Sequence, residues 1–217
     1  MTVPVPDALP ADLPPPGTYV LDPEGTTIRA DVKAMFGLMT VHGTFRLKDG
    51  QVTIAEDPAA SRVQAVIDAG SFASGNQTRD ADVTSANLLD AKAYPEISFD
   101  GTGARQDGTD WLVSGSVTAH GTAVPAELRV TEARAEDGVV RFRATARLDR
   151  TSFGITKKKG QVGRTADVVI EAAARPETMA AFLEQVDARY GGVSRWLTDH
   201  GFTAEDMSLL RDKLRTP

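Results

Sequence analysis

Residues 141–149 run Arg141-Phe142-Arg143-Ala144-Thr145-Ala146-Arg147-Leu148-Asp149, and their alternation decides the fold. Phe142, Ala144, Ala146 and Leu148 take every second place, with Arg141, Arg143, Thr145 and Arg147 between them. Successive side chains of an extended strand point to opposite faces, so the segment predicts a strand with one apolar and one wet face.

The same period of two spreads outward in both directions. Ile28, Ala30, Val32 and Ala34 alternate with Arg29, Asp31 and Lys33. Val41, Gly43, Phe45 and Leu47 alternate with His42, Thr44, Arg46 and Lys48, and Ile97 and Phe99 with Ser98 and Asp100. Lys48-Asp49-Gly50, the run from Gln106 to Asp110, and Glu136-Asp137-Gly138 lie between alternating runs and are predicted as hairpin turns. About six to eight antiparallel strands between Gly17 and Arg175 would stack as a sandwich or close into a barrel. Small residues recur on the inward faces (Ala30, Ala34, Ala65, Ala126, Ala144, Ala146). They either leave a cavity or pack beneath a covering element.

Between Gln77 and Tyr94 the alternation stops. Thr78 is the expected cap of a short helix that turns Val83, Leu88 and Leu89 inward, and Pro95 forces an extended start to the next strand. After Pro176 the period becomes 3.6, with Met179, Phe182, Leu183, Val186 and Tyr190 on one stripe. Gly191-Gly192 ends that helix, Gly201 stops a second, and Thr203 with Asp206 opens a third. Residues 1–16, rich in proline, predict an extended and poorly ordered leader. The expected organisation is leader 1–16, β domain 17–175 and helical tail 176–217.

Composition narrows the chemistry. The chain has 217 residues, no cysteine, three histidines and a formal net charge of −6. Disulfides, thiolate metal sites and cysteine nucleophiles are excluded, and a broad nucleic-acid surface is not expected. The leader has no basic n-region and no unbroken apolar run, and no segment is apolar for the roughly 18 residues that cross a bilayer, so the expected setting is cytoplasmic with no membrane span. His42 falls on the polar face of its strand, His120 in a turn and His200 at a helix end, none in a nucleophile or metal motif. No catalytic residue and no metal site are expected. Asp80 and Asp82 suit a helix start, and Arg79 is expected to pair with Asp80 or Asp90. The one dense basic run, Lys157-Lys158-Lys159, is the candidate for a ligand head group.

Several stretches, in order, resemble the YceI family of lipid- or polyisoprenoid-binding domains. They are Gly17-Thr18-Tyr19-Val20-Leu21-Asp22-Pro23, the run Phe36 to Phe45, and Asp68 to Asn76. The strongest is Arg79-Asp80 followed by Ser85-Ala86-Asn87-Leu88-Leu89-Asp90 and Tyr94-Pro95-Glu96-Ile97-Ser98-Phe99. Gly115 to Pro125 and Arg150-Thr151-Ser152-Phe153-Gly154-Ile155 complete the set. The chain departs from the family where Asp82-Val83 replace a common His-Leu pair, and where Leu88-Leu89 replace aromatic residues. The resemblance implies a mainly β, antiparallel, lipocalin-like barrel holding a long isoprenoid or other amphiphile, often as a homodimer. The tail from Tyr190 to Leu214 resembles the closing helices of some bacterial protein-tyrosine phosphatases, but without a cysteine that activity cannot follow.

The expected function is therefore a non-enzymatic binding or carrier protein with no cofactor beyond its hydrophobic ligand. Its expected lining is Phe45, Ile97, Phe99, Val117, Leu128, Phe142 and Leu148 from strands, with Phe36, Leu38, Val83, Leu88 and Leu89 from the interruptions. Burial of each methylene contributes about 0.8 kcal/mol, so such a ligand needs no conspicuous polar anchor. The alternative is an interaction module with a self-filled barrel whose tail makes dimer or partner contacts.

Overall fold

The computed structural model describes residues 14–136, 138–158 and 161–177, with residues 191, 192, 195, 197, 198, 201–203 and 206 of the tail. Among the described residues up to Pro176, nine strands and one α-helix follow in chain order, with short 3-10 turns at Pro58–Ala60 and Arg150–Phe153: β1 Gly17–Leu21, β2 Thr27–Ala34, β3 Met39–Ile54, β4 Arg62–Ala73, α1 Gln77–Thr84, β5 Glu96–Asp107, β6 Asp110–Ala119, β7 Thr122–Glu136, β8 Val139–Asp149 and β9 Val162–Pro176.

From β2 to β9 each strand pairs antiparallel with the next, and β9 pairs back onto β2 to close the wall. β1 pairs with the far ends of the same two neighbours, β3 and β9, so β1 and β2 share one place in the wall. The result is an eight-position, up-and-down barrel rather than a sandwich. Closure leaves no unpaired edge in the wall.

Turn chemistry sets the hairpins. Ala119 faces Thr122 across a two-residue turn in which His120 (φ 50°) and Gly121 (φ 73°) both take left-handed backbone. That is the type I′ geometry that matches strand twist. Lys48-Asp49-Gly50 is a correction to the expected hairpin, because β3 runs straight through it and shifts register against β4 there. A Cβ on Gly50 would come within 2.5 Å of Leu21 Cδ1, so the glycine admits β1 onto the wall rather than reversing the chain. Tyr19 (3% exposed) packs in the core beside it, and its hydroxyl donates to Pro15 O at 2.7 Å.

The outer face carries ion pairs between adjacent strands, among them Arg143–Glu171 at 3.1 Å and Arg147–Asp167 at 3.2 Å, and Arg105 of β5 reaches across β6 to Glu127 of β7 at 3.0 Å. Arginines of the decisive segment thus sit outside while Ala144 is buried inside. A membrane-spanning barrel has the reverse arrangement, apolar outside and polar within. Among the described residues no helix is long and apolar enough to cross a membrane.

The insertion after β4 folds as α1. Its N-cap is Asn76, whose side chain accepts from Arg79 N at 3.1 Å, in place of the expected Thr78. Arg79 turns to Ser74 in place of the expected Asp80 or Asp90: its Nε donates to Ser74 Oγ at 2.7 Å and its Nη2 to Ser74 O at 3.0 Å. The Asp80 carboxylate accepts from Ser74 N at 3.0 Å and from the Ser74 hydroxyl. Arg79 and Asp80 therefore clamp the helix to the end of β4.

The tail is a separate unit from Glu177 onward. Its predicted Met179–Tyr190 stripe and Gly191-Gly192 stop lie largely outside the described residues. Within it, Gly201 N donates to Thr198 O at 3.1 Å and Phe202 N to Leu197 O at 3.0 Å, the two bonds of a Schellman stop. Thr203 N donates to Asp206 Oδ2 at 2.9 Å, and Asp206 N to Thr203 Oγ1 at 3.2 Å, a reciprocal cap at the expected place.

Candidate functional site

An eight-position barrel is just wide enough to fill itself or to hold one small ligand, and its inward side chains decide which. Here small residues face the axis from several strands: Ala30 of β2, Ala65 of β4, Ala144 and Ala146 of β8, and Ala172 of β9. The space they leave is a cavity of about 270 Å³ within the wall. That lies near the lower end of the roughly 300–1,000 Å³ usual for small-molecule pockets.

Phe45, Ile97, Phe99, Val117, Leu128, Phe142 and Leu148 all line this cavity. Ala34 and Ala126 do not. The lining also takes in Leu21, Ile28, Leu47, Val63, Ile67, Val113, Val168 and Ile170, which the sequence left unassigned. The β9 pair was hidden because Val168-Val169-Ile170 is apolar on both faces, which blurs the period of two.

The interruptions behave differently. Val83, Leu88 and Leu89 do not line the cavity; they join Phe153 and Ile155 in a cluster at the end where β4 finishes and β5 begins. Leu88 is 6% exposed and Phe153 3%. Arg150 fixes this end from below the surface, donating to the carbonyl oxygens of Ile155 (2.6 Å), Gly163 (2.8 Å), Val162 (3.0 Å) and Lys157 (3.0 Å). Burial lowers its pKa from the ordinary guanidinium value.

Phe36 and Leu38 are a correction. Both are 86% exposed at the tip of the β2–β3 hairpin and line nothing. Met35, Phe36 and Gly37 take left-handed backbone (φ 48°, 57° and 89°), which turns the tip over before the strand alternation resumes.

The lysines are engaged by the chain itself. Lys157 Nζ donates to Ala86 O at 2.8 Å, and Lys158 pairs with the Asp82 carboxylate. Lys158, by its hydrogen bond, holds the Asp82 carboxyl below its usual range. Lys159 lies outside the described residues.

Polar residues are sparse in the lining: Ser98 lies near the start of β5, and Thr26, Thr53, Ser61 and Arg62 lie toward the opposite end. Thr26, Ser61 and Arg62 lie where β2 and β4 start. Arg62 Nη1 donates to Thr102 O at 2.6 Å and Ser61 O at 2.8 Å, and Ser61 Oγ accepts from Ala55 N at 3.1 Å. Thr26 is 8% exposed, and among the described residues its hydroxyl has no hydrogen-bond partner. Pro14, fully buried, also lines this end, so the last residues of the proline-rich lead-in belong to the barrel.

Among the described residues no acid–base constellation accompanies the cavity. His42 Nδ1 lies 2.8 Å from Asp31 Oδ1 on exposed positions of β3 and β2, and His120 stacks on Tyr94 with ring centroids 4.7 Å apart. Among the described residues no group of three or more His, Asp or Glu is placed to hold a metal ion.

Comparison with known proteins agrees with this architecture. The family model described as a YceI-like domain matches residues 19–174. A UPF0312 protein of Pseudomonas putida (strain GB-1) is 34% identical over 160 residues, covering 70% of this chain and 83% of that protein. A UPF0312 protein of Enterobacter sp. (strain 638) is 28% identical over 159 residues, with the same coverage. Among solved structures, Burkholderia cenocepacia BcnA superposes with a TM-score of 0.64 at 22% identity, covering 70% of this chain and 98% of that one. A polyisoprenoid binding domain from Saccharophagus degradans gives 0.54 at 15% identity, covering 73% and 98%. The family match ends at residue 174 and carries nothing into the tail or its phosphatase likeness. From Tyr19, the third residue of β1, to Ala174 near the end of β9, the chain belongs to the YceI-like domain family.

Proposed function

We propose that the protein binds and carries a long amphiphile of the isoprenoid or fatty type, without chemically altering it. The observation that supports this most directly is the apolar cavity of about 270 Å³ enclosed by a closed barrel. The neighbour from Saccharophagus degradans, itself a polyisoprenoid binding domain, supports the isoprenoid class. A hydrocarbon chain of about ten methylenes would contribute roughly 8 kcal/mol on burial before the costs of association. Affinity can therefore come from the wall alone. A cytoplasmic setting and pairing of two copies belong to the same reading, and fractionation and sedimentation test them.

Mass spectrometry of an organic extract of the purified protein tests the carrier reading. A stoichiometric prenyl or fatty compound is the expected result. Absence of any such compound, together with no uptake of a long-chain fluorescent probe, would return the barrel to the self-filled alternative.

A further inference from the structure

We infer that the tip of the β2–β3 hairpin docks the protein on the surface of an anionic lipid bilayer. Phe36 and Leu38 enter the interface, and lysines beside the tip meet the phosphate head groups. The inference stands apart from the carrier reading, because it concerns the outside of the barrel and not its contents.

β2 and β3 pair as far as Ala34 and Met39, and the four residues between them reverse the chain. Gly37 N donates to Ala34 O at 3.0 Å and Leu38 N to Met35 O at 3.2 Å, so the turn is closed by its own backbone. The side chains project from it: Met35 is 58% exposed, Phe36 and Leu38 86% each, and Met39 45%. Single exposed apolar residues are ordinary on any surface. Four within five consecutive positions form a patch of the kind that marks a protein or membrane contact. Carried on a convex hairpin tip, the patch suits a soft bilayer interface, which apolar side chains enter by about 5–10 Å without needing a matching cavity.

Charge selects the partner. The chain holds 30 acidic residues, yet residues 32–41 and 153–164 contain none. The two stretches meet. Met35 N donates to Gln161 O at 2.9 Å, and Gln161 N donates to Lys158 O at 3.1 Å, which sets the lysine loop beside the tip. Lys158 and Arg164 are matched by Asp82 and Asp149. Lys33 and Lys157 are both exposed and donate to neutral oxygens, Thr40 Oγ1 at 3.0 Å and Ala86 O at 2.8 Å, so each keeps its positive charge. The other end of the barrel carries Asp22, Glu24, Glu56 and Asp57, beside Arg62 and Arg175. An anionic surface therefore draws in the tip end and turns the other away. A second copy is the poorer occupant, since a two-fold contact between tips would bring two like-charged lysine loops together.

Co-sedimentation of the full chain with vesicles tests this, using phosphatidylcholine alone and a roughly 7:3 mixture with phosphatidylglycerol in about 0.1 M salt. The mixed vesicles should bind at least about tenfold more tightly than the neutral ones, and about 1 M salt should remove most of that advantage. Phe36→Ser with Leu38→Ser should lower binding to the mixed vesicles at least about tenfold, with the melting temperature unchanged. Lys33→Gln with Lys157→Gln should lower it about tenfold or more, each lysine contributing about fivefold near an anionic surface, and should leave binding to neutral vesicles unaltered. Failure of the wild type to bind the mixed vesicles, or undiminished binding by the serine variant, overturns the inference. So does a serine variant that turns a dimer into a monomer in sedimentation velocity, because the tip then covers a second copy. The organic extract that tests the carrier reading is a separate measurement, so either reading can fail alone.

Discussion

Lys158 and Asp82, 76 positions apart in the chain, form an ion pair that ties the β8–β9 loop to α1. Lys157 adds a second tie, to Ala86 O at 2.8 Å. Both side chains of the pair are partly exposed, 29% and 32%, so water weakens the attraction. Lys158→Ala should cost about 0.5 kcal/mol or less in chemical denaturation and leave ligand affinity unchanged. A fall in affinity confined to phosphorylated ligands would show instead that the lysine reaches a head group.

Asp149 gives the fold an acid sensitivity of definite sign. Arg164 donates to its carboxylate from Nε at 2.7 Å, and Thr151 donates from N at 2.9 Å and Oγ1 at 2.6 Å. Arg164 first, then Thr151, hold the carboxyl well below its ordinary value of 3.8. A carboxyl lowered on folding favours the folded state at every pH above its unfolded pKa, and that contribution is lost as pH falls below it. Wild type should therefore melt above Asp149→Asn at neutral pH, with the gap closing below about pH 4. Thermal melts between about pH 2 and 7 check this, and a constant gap would place the effect elsewhere.

The cavity makes an unusual prediction for a core position. Ala144 is 6% exposed and lines the cavity. A larger side chain in a filled core costs about 1–3 kcal/mol. At Ala144 the ring of Ala144→Phe would enter the cavity, so the melting temperature should hold while probe binding falls at least tenfold. Loss of stability with binding retained would mean that the interior is already filled.

How far the sequence foretold this arrangement depended on how each side chain is constrained. Phe142 and Leu148 were legible because β8 alternates unbroken from Arg141 to Asp149, and a strand wall turns alternation directly into inside and outside. Gly50 misled because Lys-Asp-Gly is turn chemistry, yet the glycine answers to Leu21 of β1, a partner nearly thirty positions away that no local pattern contains. Phe36 and Leu38 misled because apolar character says nothing about direction once a run of left-handed residues reverses the chain. Thr26 was illegible because an unpartnered hydroxyl is defined by what surrounds it in space.

That exposed hairpin tip supplies a check on the lining. With Phe36 and Leu38 both 86% exposed, Phe36→Ser with Leu38→Ser removes little buried area. Stability should change by no more than about 0.5 kcal/mol, as for ordinary surface sites, and hydrocarbon affinity should not change. A tenfold loss of hydrocarbon binding in titration would mean that the tip folds over the ligand.

Leu88 separates the closing cluster from the lining. It is 6% exposed and packs with Phe99, Val117, Phe153 and Ile155, so truncation leaves a hole among fixed neighbours. Leu88→Ala should cost about 2–5 kcal/mol, as buried leucines do, and lower Tm by roughly 5–15 °C. Because Leu88 does not line the cavity, affinity for a short-chain probe that fits within it should stay within about twofold of wild type. Denaturation and probe titration on the same variant distinguish the two roles. A cluster that only closes the barrel changes the first measurement, and one that grips the chain terminus changes both.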